Sequence, residues 1–184
     1  MALDFLNTRK YVKGWVSDLI STPEELREWL DSVGLHTHGT DVETSPPVAR
    51  MMFDEAHRLR DAIRVAVEAR VRGERVPPRS LYMLNRVLEA SRSSARLVHD
   101  GARLTLIRLD SAPASLAALS PIALAAAMLL TEADCRRIRQ CRSERCALWF
   151  LDTSKNGRRR WCSMATCGNR AKAARHYQKQ KAGP

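Results

Sequence analysis

The chain has 184 residues, 45% of them hydrophobic, which suits one medium domain or a domain with a small appendage. We find no run of the roughly 18 uncharged apolar residues that a membrane helix needs. The most apolar stretch, Leu116–Leu130, is interrupted by Ser120 and Pro121, so we interpret it as a buried helix. Because the N-terminus, MALDFLNTRK, lacks a signal-peptide pattern, we expect a cytoplasmic protein whose thiols stay reduced.

Charge is distributed unevenly along the chain, whose formal net charge is +11. Residues 135–184 carry 14 Lys and Arg residues against two acids, Glu144 and Asp152, which gives +12. Residues 1–134 carry 17 basic and 18 acidic residues, which gives −1. A nearly neutral body followed by a strongly basic region predicts a nucleic-acid partner for that region.

The N-terminal motif LDFLNTR surrounds Leu3, Phe5 and Leu6 with polar residues. One interpretation is structural: the apolar side chains anchor the N-terminus, and Asn7 or Thr8 caps a helix. The other is a pocket for an unknown small-molecule ligand. The residues that would form this pocket are Asp4, Asn7, Thr8 and Arg9.

Three helices are predicted next in chain order. STPEELREWLDSVGL contains a capping box of Thr22 and Glu25, and Gly34 ends its helix. The second helix starts at PPVAR and ends near Gly73, and the third covers residues 77–94.

The segment ARLVHDGARLTLIRL has an alternating pattern instead. Asp100-Gly101 lies between two such runs, which predicts paired strands at 95–99 and 103–109. ASLAALSPIALAAAMLLTEAD then returns to a helical pattern, with a break or kink expected at Pro121. We therefore expect the body, residues 1–134, to be mainly α-helical with a small β-hairpin.

Four of the five cysteines form two equally spaced pairs, Cys141 with Cys146 and Cys162 with Cys167, separated by 15 residues. Two such knuckles supply the tetrahedral thiolate set that structural Zn²⁺ prefers. Disulfides, a redox pair and free buried thiols are the alternatives; a reduced compartment disfavours disulfides, and the paired spacing disfavours chance. We predict a structural Zn²⁺, with Cys135 as a free thiol.

Residues 135–184 are expected to form a small α+β zinc finger. Between the knuckles, residues 147–151 and 158–161 are predicted strands around an Asn156-Gly157 turn. GNRAKAARHYQKQK follows as a basic helix, in which Gly168 permits a tight turn and Asn169 caps the helix or contacts a base. The predicted nucleic-acid contacts are Arg158, Arg159, Arg160, Asn169, Arg170, Lys172, Arg175 and Lys179.

At these residues the chain resembles a known family. C-x4-C-x2-W-F-x-D-x-S-x-N-x-R-R-R-W-C-S-x3-C-G-N-R-x-K is similar to the CGNR zinc finger, and Cys135 is additional to that pattern. LDFLNTR, TPEELREWL and RLRDAIR resemble the ABATE domain that usually precedes this finger. The resemblance implies a bacterial stress-induced transcription regulator, with the four paired cysteines as zinc ligands in a DNA-binding finger. It also strengthens the ligand-pocket hypothesis for the N-terminal motif.

We therefore expect a DNA-binding transcription regulator rather than an enzyme, with double-stranded DNA as its partner. The body would be an ABATE-like domain that senses a ligand or forms a homodimer, and no membrane partner is expected. One alternative is an RNA-binding or ribosome-associated zinc protein, in which Trp149, Phe150 and Trp161 stack on bases. Another is an enzyme with a pocket in the body, although the sequence offers no nucleophile and base pair for it.

Overall fold

The computed structural model describes residues 1–12, 15–35, 45–90, 93–100, 103–110 and 113–181. A 3₁₀ turn, Cys135–Arg137, and a π-helical turn, Met164–Gly168, accompany the main elements. Those elements are, in chain order, α1 Ala2–Leu6, β1 Arg9–Val12, β2 Trp15–Asp18, α2 Pro23–Ser32, α3 Pro46–Arg72, α4 Pro78–Glu89, β3 Ser93–Asp100, β4 Arg103–Asp110, α5 Ala114–Ala117, α6 Ser120–Glu132, β5 Ile138–Gln140, β6 Trp149–Leu151 and α7 Asn169–Lys181.

The predicted helix signals operate as expected. The Thr22 hydroxyl accepts the N–H of Glu25, and the Glu25 carboxylate accepts the N–H of Thr22, both at 3.2 Å. The C-cap of α3 is Gly73, whose φ of 75° is favourable for glycine. Pro121 lies in the first turn of α6, so the predicted helix of residues 114–134 is divided into α5 and α6.

The described strands form three two-stranded antiparallel sheets. The pairing of β3 with β4 confirms the predicted hairpin of the body, although its turn lies outside the described residues. The pairing of β1 with β2 was not predicted; it runs from Arg9 opposite Asp18 to Val12 opposite Trp15.

The hairpin of the zinc finger is not the one that the sequence predicts. Strand β6 pairs with β5, so that Ile138 lies opposite Leu151 and the first cysteine knuckle occupies the loop between them. The turn at Gly157 does form, with φ 58°, but residues 158–160 form no strand. The backbone of Arg159 instead donates to the Asp152 carboxylate, and the Arg160 carbonyl accepts from the N–H of Arg142.

The main hydrophobic core surrounds α3, which contacts α1, α2, α4, α5 and α6. By length and composition alone, Ser115–Glu132 could cross a membrane. In the structure its inner face, which includes Ile122 and Ala126, is part of this core, whereas Leu124 and Met128 are exposed. The segment predicted as a buried helix is therefore buried on one face only.

The β5–β6 hairpin lies between the body and the metal centre. Ile138 and Trp149 belong to the main core, whereas Phe150 belongs to a second cluster with Cys141 and Cys167. Neighbouring side chains of a strand point to opposite faces, which explains why Trp149 and Phe150 contact different clusters. One strand therefore connects the apolar core to the cysteines.

Candidate metal centre and nucleic-acid interface

The four paired cysteines converge, with all four Sγ atoms within 4.8 Å of one another. Cys146 and Cys162 are separated by 3.6 Å between their sulfurs, and Cys162 and Cys167 by 3.7 Å. A tetrahedral zinc site with Zn–S bonds of about 2.3 Å places its sulfurs about 3.8 Å apart. The four thiols therefore fit Zn²⁺, and Cys135 lies outside the cluster.

Backbone hydrogen bonds shape both knuckles. In the first, the N–H of Cys141 donates to the Leu148 carbonyl at 2.8 Å, and the N–H of Cys146 donates to the Ser143 carbonyl at 2.9 Å. In the second, the N–H of Gly168 donates to the Ser163 carbonyl at 3.0 Å, which closes the π-helical turn. Local backbone hydrogen bonds thus shape the turn that carries each pair of cysteines.

Gly168 ends the π-helical turn, and its lack of a side chain allows close packing there. A Cβ atom at this position would lie 2.7 Å from the Met164 sulfur and 3.3 Å from Cδ1 of Trp161. Ser163, not Asn169, caps this helical segment, because its side chain accepts the N–H of Thr166. The sequence indicated a tight turn at Gly168, and the structure adds the close approach of the Met164 and Trp161 side chains.

The cysteine environment favours a bound cation. Burial raises the pKa of Cys162, and the neighbouring Cys146 and Cys141 thiols raise it further. Burial also raises the pKa of Cys141, but N–H donors from Cys162 and Ser143 lower it by more, so the net shift is downward. Four adjacent thiols cannot all ionise without a compensating positive charge, and Zn²⁺ supplies that charge.

A buried carboxylate organises the loop before the second knuckle. Asp152 is fully buried and accepts hydrogen bonds from the Ser154 hydroxyl, the Ser154 N–H and the Arg159 N–H. The Ser154 hydrogen bond is the main cause of its lowered pKa. The Arg159 guanidinium donates to the carbonyls of Trp161 and Cys162 and lies 4.9 Å from the Phe150 ring centroid. Arg159 therefore supports the metal centre, although the sequence suggested a nucleic-acid contact.

A groove of about 730 Å³ lies between the first knuckle and α7. Its apolar lining includes Trp161, Ala171 and Ala174, and Glu144 is its one acidic lining residue. We call this groove the arginine cleft after five exposed residues that line it: Arg142, Arg145, Arg160, Arg170 and Arg175.

The cleft includes only part of the predicted nucleic-acid set. Arg160, Arg170 and Arg175 line it, whereas Arg158, Asn169 and Lys172 are exposed and absent from its lining. The side chain of Lys179 lies outside the described part of the structure. Sequence reasoning missed Arg142 and Arg145; their position between two metal ligands was the available signal, because the residues inside a knuckle must lie at the surface.

The polar residues of the N-terminal motif each have a protein partner. Asp4 pairs with the N-terminal ammonium at 2.7 Å, and Arg9 lies 3.6 Å from the Asp61 carboxylate. Asn7 donates to the carbonyl of Trp149 and accepts its N–H, both at 2.8 Å. Asn7 thus connects α1 directly to strand β6, and the ligand pocket stays a prediction.

Thr8 belongs to a buried ion-pair network that the sequence did not reveal. Its hydroxyl donates to the Phe5 carbonyl at 2.7 Å and accepts from Arg60, also at 2.7 Å. The Arg60 guanidinium, 1% exposed, forms two hydrogen bonds to Asp18. This network fixes β2 against α3.

Two protein families match successive parts of the chain. Residues 1–133 match the ABATE family, described as "Putative stress-induced transcription regulator". Residues 137–180 match the CGNR zinc finger. None of the curated proteins compared with the chain matches it.

Proposed function

The chain belongs to the ABATE family and ends in a CGNR zinc finger, and on that premise we propose that it is a transcription regulator that binds double-stranded DNA. The observation that carries this proposal is the arginine cleft, in which five guanidinium groups and one acidic residue line a groove beside an exposed helix. Guanidinium groups bind phosphates in bidentate geometry, and their combined field attracts a polyanion.

Helix α7 has a shape that suits duplex DNA. Its 13 residues correspond to a length of about 20 Å, and it includes no buried residue among those described. A helix with side chains is about 10–12 Å wide, and the major groove is about 12 Å wide. An exposed basic helix held at its N-terminal end by a metal knuckle can therefore enter that groove.

Two of the three aromatic residues that the RNA alternative assigns to base stacking are buried, which favours duplex DNA over single-stranded RNA. Base stacking requires exposed ring faces. Trp149 and Phe150 are each only 8% exposed, and Trp161 is partly buried. Trp149 and Phe150 belong to the protein interior. Trp161 and the exposed Tyr177 line the arginine cleft, so they are the rings that could still contact a base.

The helical body would regulate the finger, as a sensory or dimerisation domain. Asn7 and strand β6 provide a direct connection for such regulation. Because the protein itself supplies all four thiolates, we propose that the zinc is structural and that the chain acts by binding rather than by catalysis.

Selection from a random duplex library tests the proposal, with the zinc-loaded full chain as bait and structured RNA as competitor. We expect an enriched DNA consensus and an affinity that falls with salt, with a log–log slope of about −0.9 per phosphate contact. Preferential retention of the RNA would overturn the proposal in favour of an RNA-binding protein.

Charge-removing variants locate the interface. Arg145→Ala and Arg175→Ala should each weaken binding and reduce the salt slope by about one contact. Arg79→Ala is the matched control, because Arg79 is an exposed arginine of α4 in the body. Unchanged binding by both cleft variants at full zinc content would exclude the cleft as the interface.

A further inference from the structure

Helix α7 has two polar faces of different composition. Arg170, Ala174 and Gln178 recur at four-residue intervals and line the arginine cleft, together with Ala171 and Arg175. A second set recurs at intervals of three and four residues, is exposed and is absent from the cleft lining. We call this set the outer face: Asn169, Lys172, His176 and Gln180.

The two faces offer different chemistry to a nucleic acid. The cleft face presents guanidinium groups among alanines and the exposed ring of Tyr177, opposite the arginines of the first knuckle. The outer face presents two amides, an ammonium and an imidazole. Asn and Gln pair with adenine, and Lys pairs with guanine, through the major-groove edges of the bases. Because positive charge is concentrated on the cleft side, the phosphates belong there.

The outer face is available for intermolecular contacts. Within the described part of the chain, the side chains of Lys172, His176 and Gln180 form no hydrogen bond or ion pair, and all three are exposed. Asn169 donates one amide hydrogen to the Ala165 carbonyl at 3.2 Å, which leaves its oxygen and a second hydrogen available. Asn169 and Lys172 lie in the first turn of α7, the part of a recognition helix that usually contacts bases.

We propose that the outer face reads base edges in the major groove, while the arginine cleft holds the phosphates of one strand. This assignment rests on the proposed function and deepens it by separating specificity from affinity. It also changes the role of Arg170, which the sequence alone could place on either a base or a phosphate. In the structure, Arg170 lines the cleft with Arg142 and Arg145, so this assignment makes it a phosphate contact.

Binding selection with variants of the zinc-loaded full chain tests the assignment. Lys172→Ala and His176→Ala should each weaken binding to the preferred duplex by about 5- to 150-fold, with little effect on unrelated duplexes. The enriched consensus should lose information at one or two positions. Arg170→Ala and Arg142→Ala should weaken all duplexes alike and reduce the salt slope by about one contact, with the consensus intact.

Zinc content and helical circular dichroism serve as folding controls for each variant. All four substitutions are at exposed positions, and alanine has the highest helix propensity, so the variants in α7 should retain their helix. Arg79→Ala in the body should change neither the zinc content nor the helical circular dichroism.

Two results would overturn the assignment in distinguishable ways. If Arg170→Ala removes consensus positions while Lys172→Ala and His176→Ala leave the consensus and affinity unchanged, the chain still binds DNA but the two faces have been assigned wrongly. If the wild-type chain enriches no duplex at all, the proposed function fails and the assignment fails with it.

Discussion

The body and the finger differ in what fills their interiors. Around α3, apolar side chains from five other helices form a continuous core. The finger's own cluster contains Phe150 and the buried Cys141 and Cys167, with Cys146, Cys162 and Trp161 packed against it. The body is therefore stabilised mainly by apolar burial, and the finger mainly by its metal. Heat and denaturant should therefore unfold the body, whereas chelators and thiol oxidation should unfold the finger.

Removal of the zinc is expected to give the largest difference in stability between the body and the finger. Structural zinc contributes about 10–16 kcal/mol to the folding of finger peptides. A chelator should therefore unfold the finger, including α7, while most of the body's helical circular dichroism persists. Metal analysis should find one zinc per chain, and Cys141→Ser should abolish high-affinity binding.

Cys135→Ser is the matched control for Cys141→Ser, because Cys135 lies outside the thiol cluster. It should leave the zinc content unchanged. If chelation abolished the whole helical signal, the two regions would form a single cooperative unit, and the contrast between them would disappear.

Within the body, the buried pair of Arg60 and Asp18 tests whether apolar burial is the whole explanation. Asp18→Ala leaves an uncompensated charge on Arg60, which is 1% exposed. We expect a loss of about 3–5 kcal/mol in the free energy of unfolding by denaturant. Glu74→Ala breaks a pair with Arg72 in which both side chains are 55% exposed, and it should cost less than about 1 kcal/mol. Equal losses of unfolding free energy in Asp18→Ala and Glu74→Ala would contradict a special contribution from the buried pair.

The same pair predicts a dependence on pH. Burial raises the pKa of Asp18, but hydrogen bonds from Arg60 and from the N–H of Ile20 lower it by more, so the folded pKa lies below the ordinary 3.8. The contribution of the pair is therefore complete well above pH 3.8 and is lost as the pH falls through the folded pKa. The difference in stability between wild type and Asp18→Asn should shrink below about pH 4, because Asp18 becomes protonated in wild type. Both proteins lose zinc alike in acid, so that effect cancels in the comparison.

A smaller effect is expected from removing the contact between the body and the finger, which Asn7 forms with Trp149. Asn7→Ala removes both hydrogen bonds to the backbone of Trp149 and should cost about 1–3 kcal/mol. In wild type, chelation should lower the melting temperature of the body, because it loosens β6. In Asn7→Ala this dependence on zinc should weaken. Asn85→Ala, at an exposed position of α4, should retain the wild-type dependence, and identical behaviour of the two variants would exclude Asn7 as the link.

The smallest expected effect concerns Gly168. Gly168→Ala places a methyl group against the Met164 thioether, whose side chain is exposed and able to move, so we expect a cost of about 1 kcal/mol and a modest loss of zinc affinity. The double variant Met164→Ala/Gly168→Ala should recover most of that affinity. Failure of the recovery would identify Trp161 as the obstacle.

Features encoded by neighbouring residues could be predicted from the sequence. The capping box of Thr22 and Glu25, the end of α3 at Gly73 and the β3–β4 hairpin are all local signals, and the structure contains each of them. The cysteine cluster was also predictable, because the spacing within each knuckle is set by the geometry of one turn.

Features that depend on distant residues could not be predicted. Strand β5 has three residues, too few for an alternating pattern, so its pairing with β6 was missed and a wrong partner was chosen. Asn7 and Trp149 are 142 residues apart, and no local rule connects them. Arg60 occupies an apolar face of α3, where the sequence alone indicates only a charged residue among hydrophobic ones.

Strand β6 also determines whether the finger can be transferred to another protein and still fold. Inserting one residue between Cys146 and Trp149 would reverse the strand's two faces, so that the indole would point at the metal and Phe150 at the helices. Evolution is therefore expected to keep the length of this spacer constant. An engineer who grafts residues 137–180 onto another protein would expose Ile138 and Trp149 to water, unless the new host supplies an apolar surface for them. The finger is better described as a zinc module shaped for its own body than as an interchangeable part.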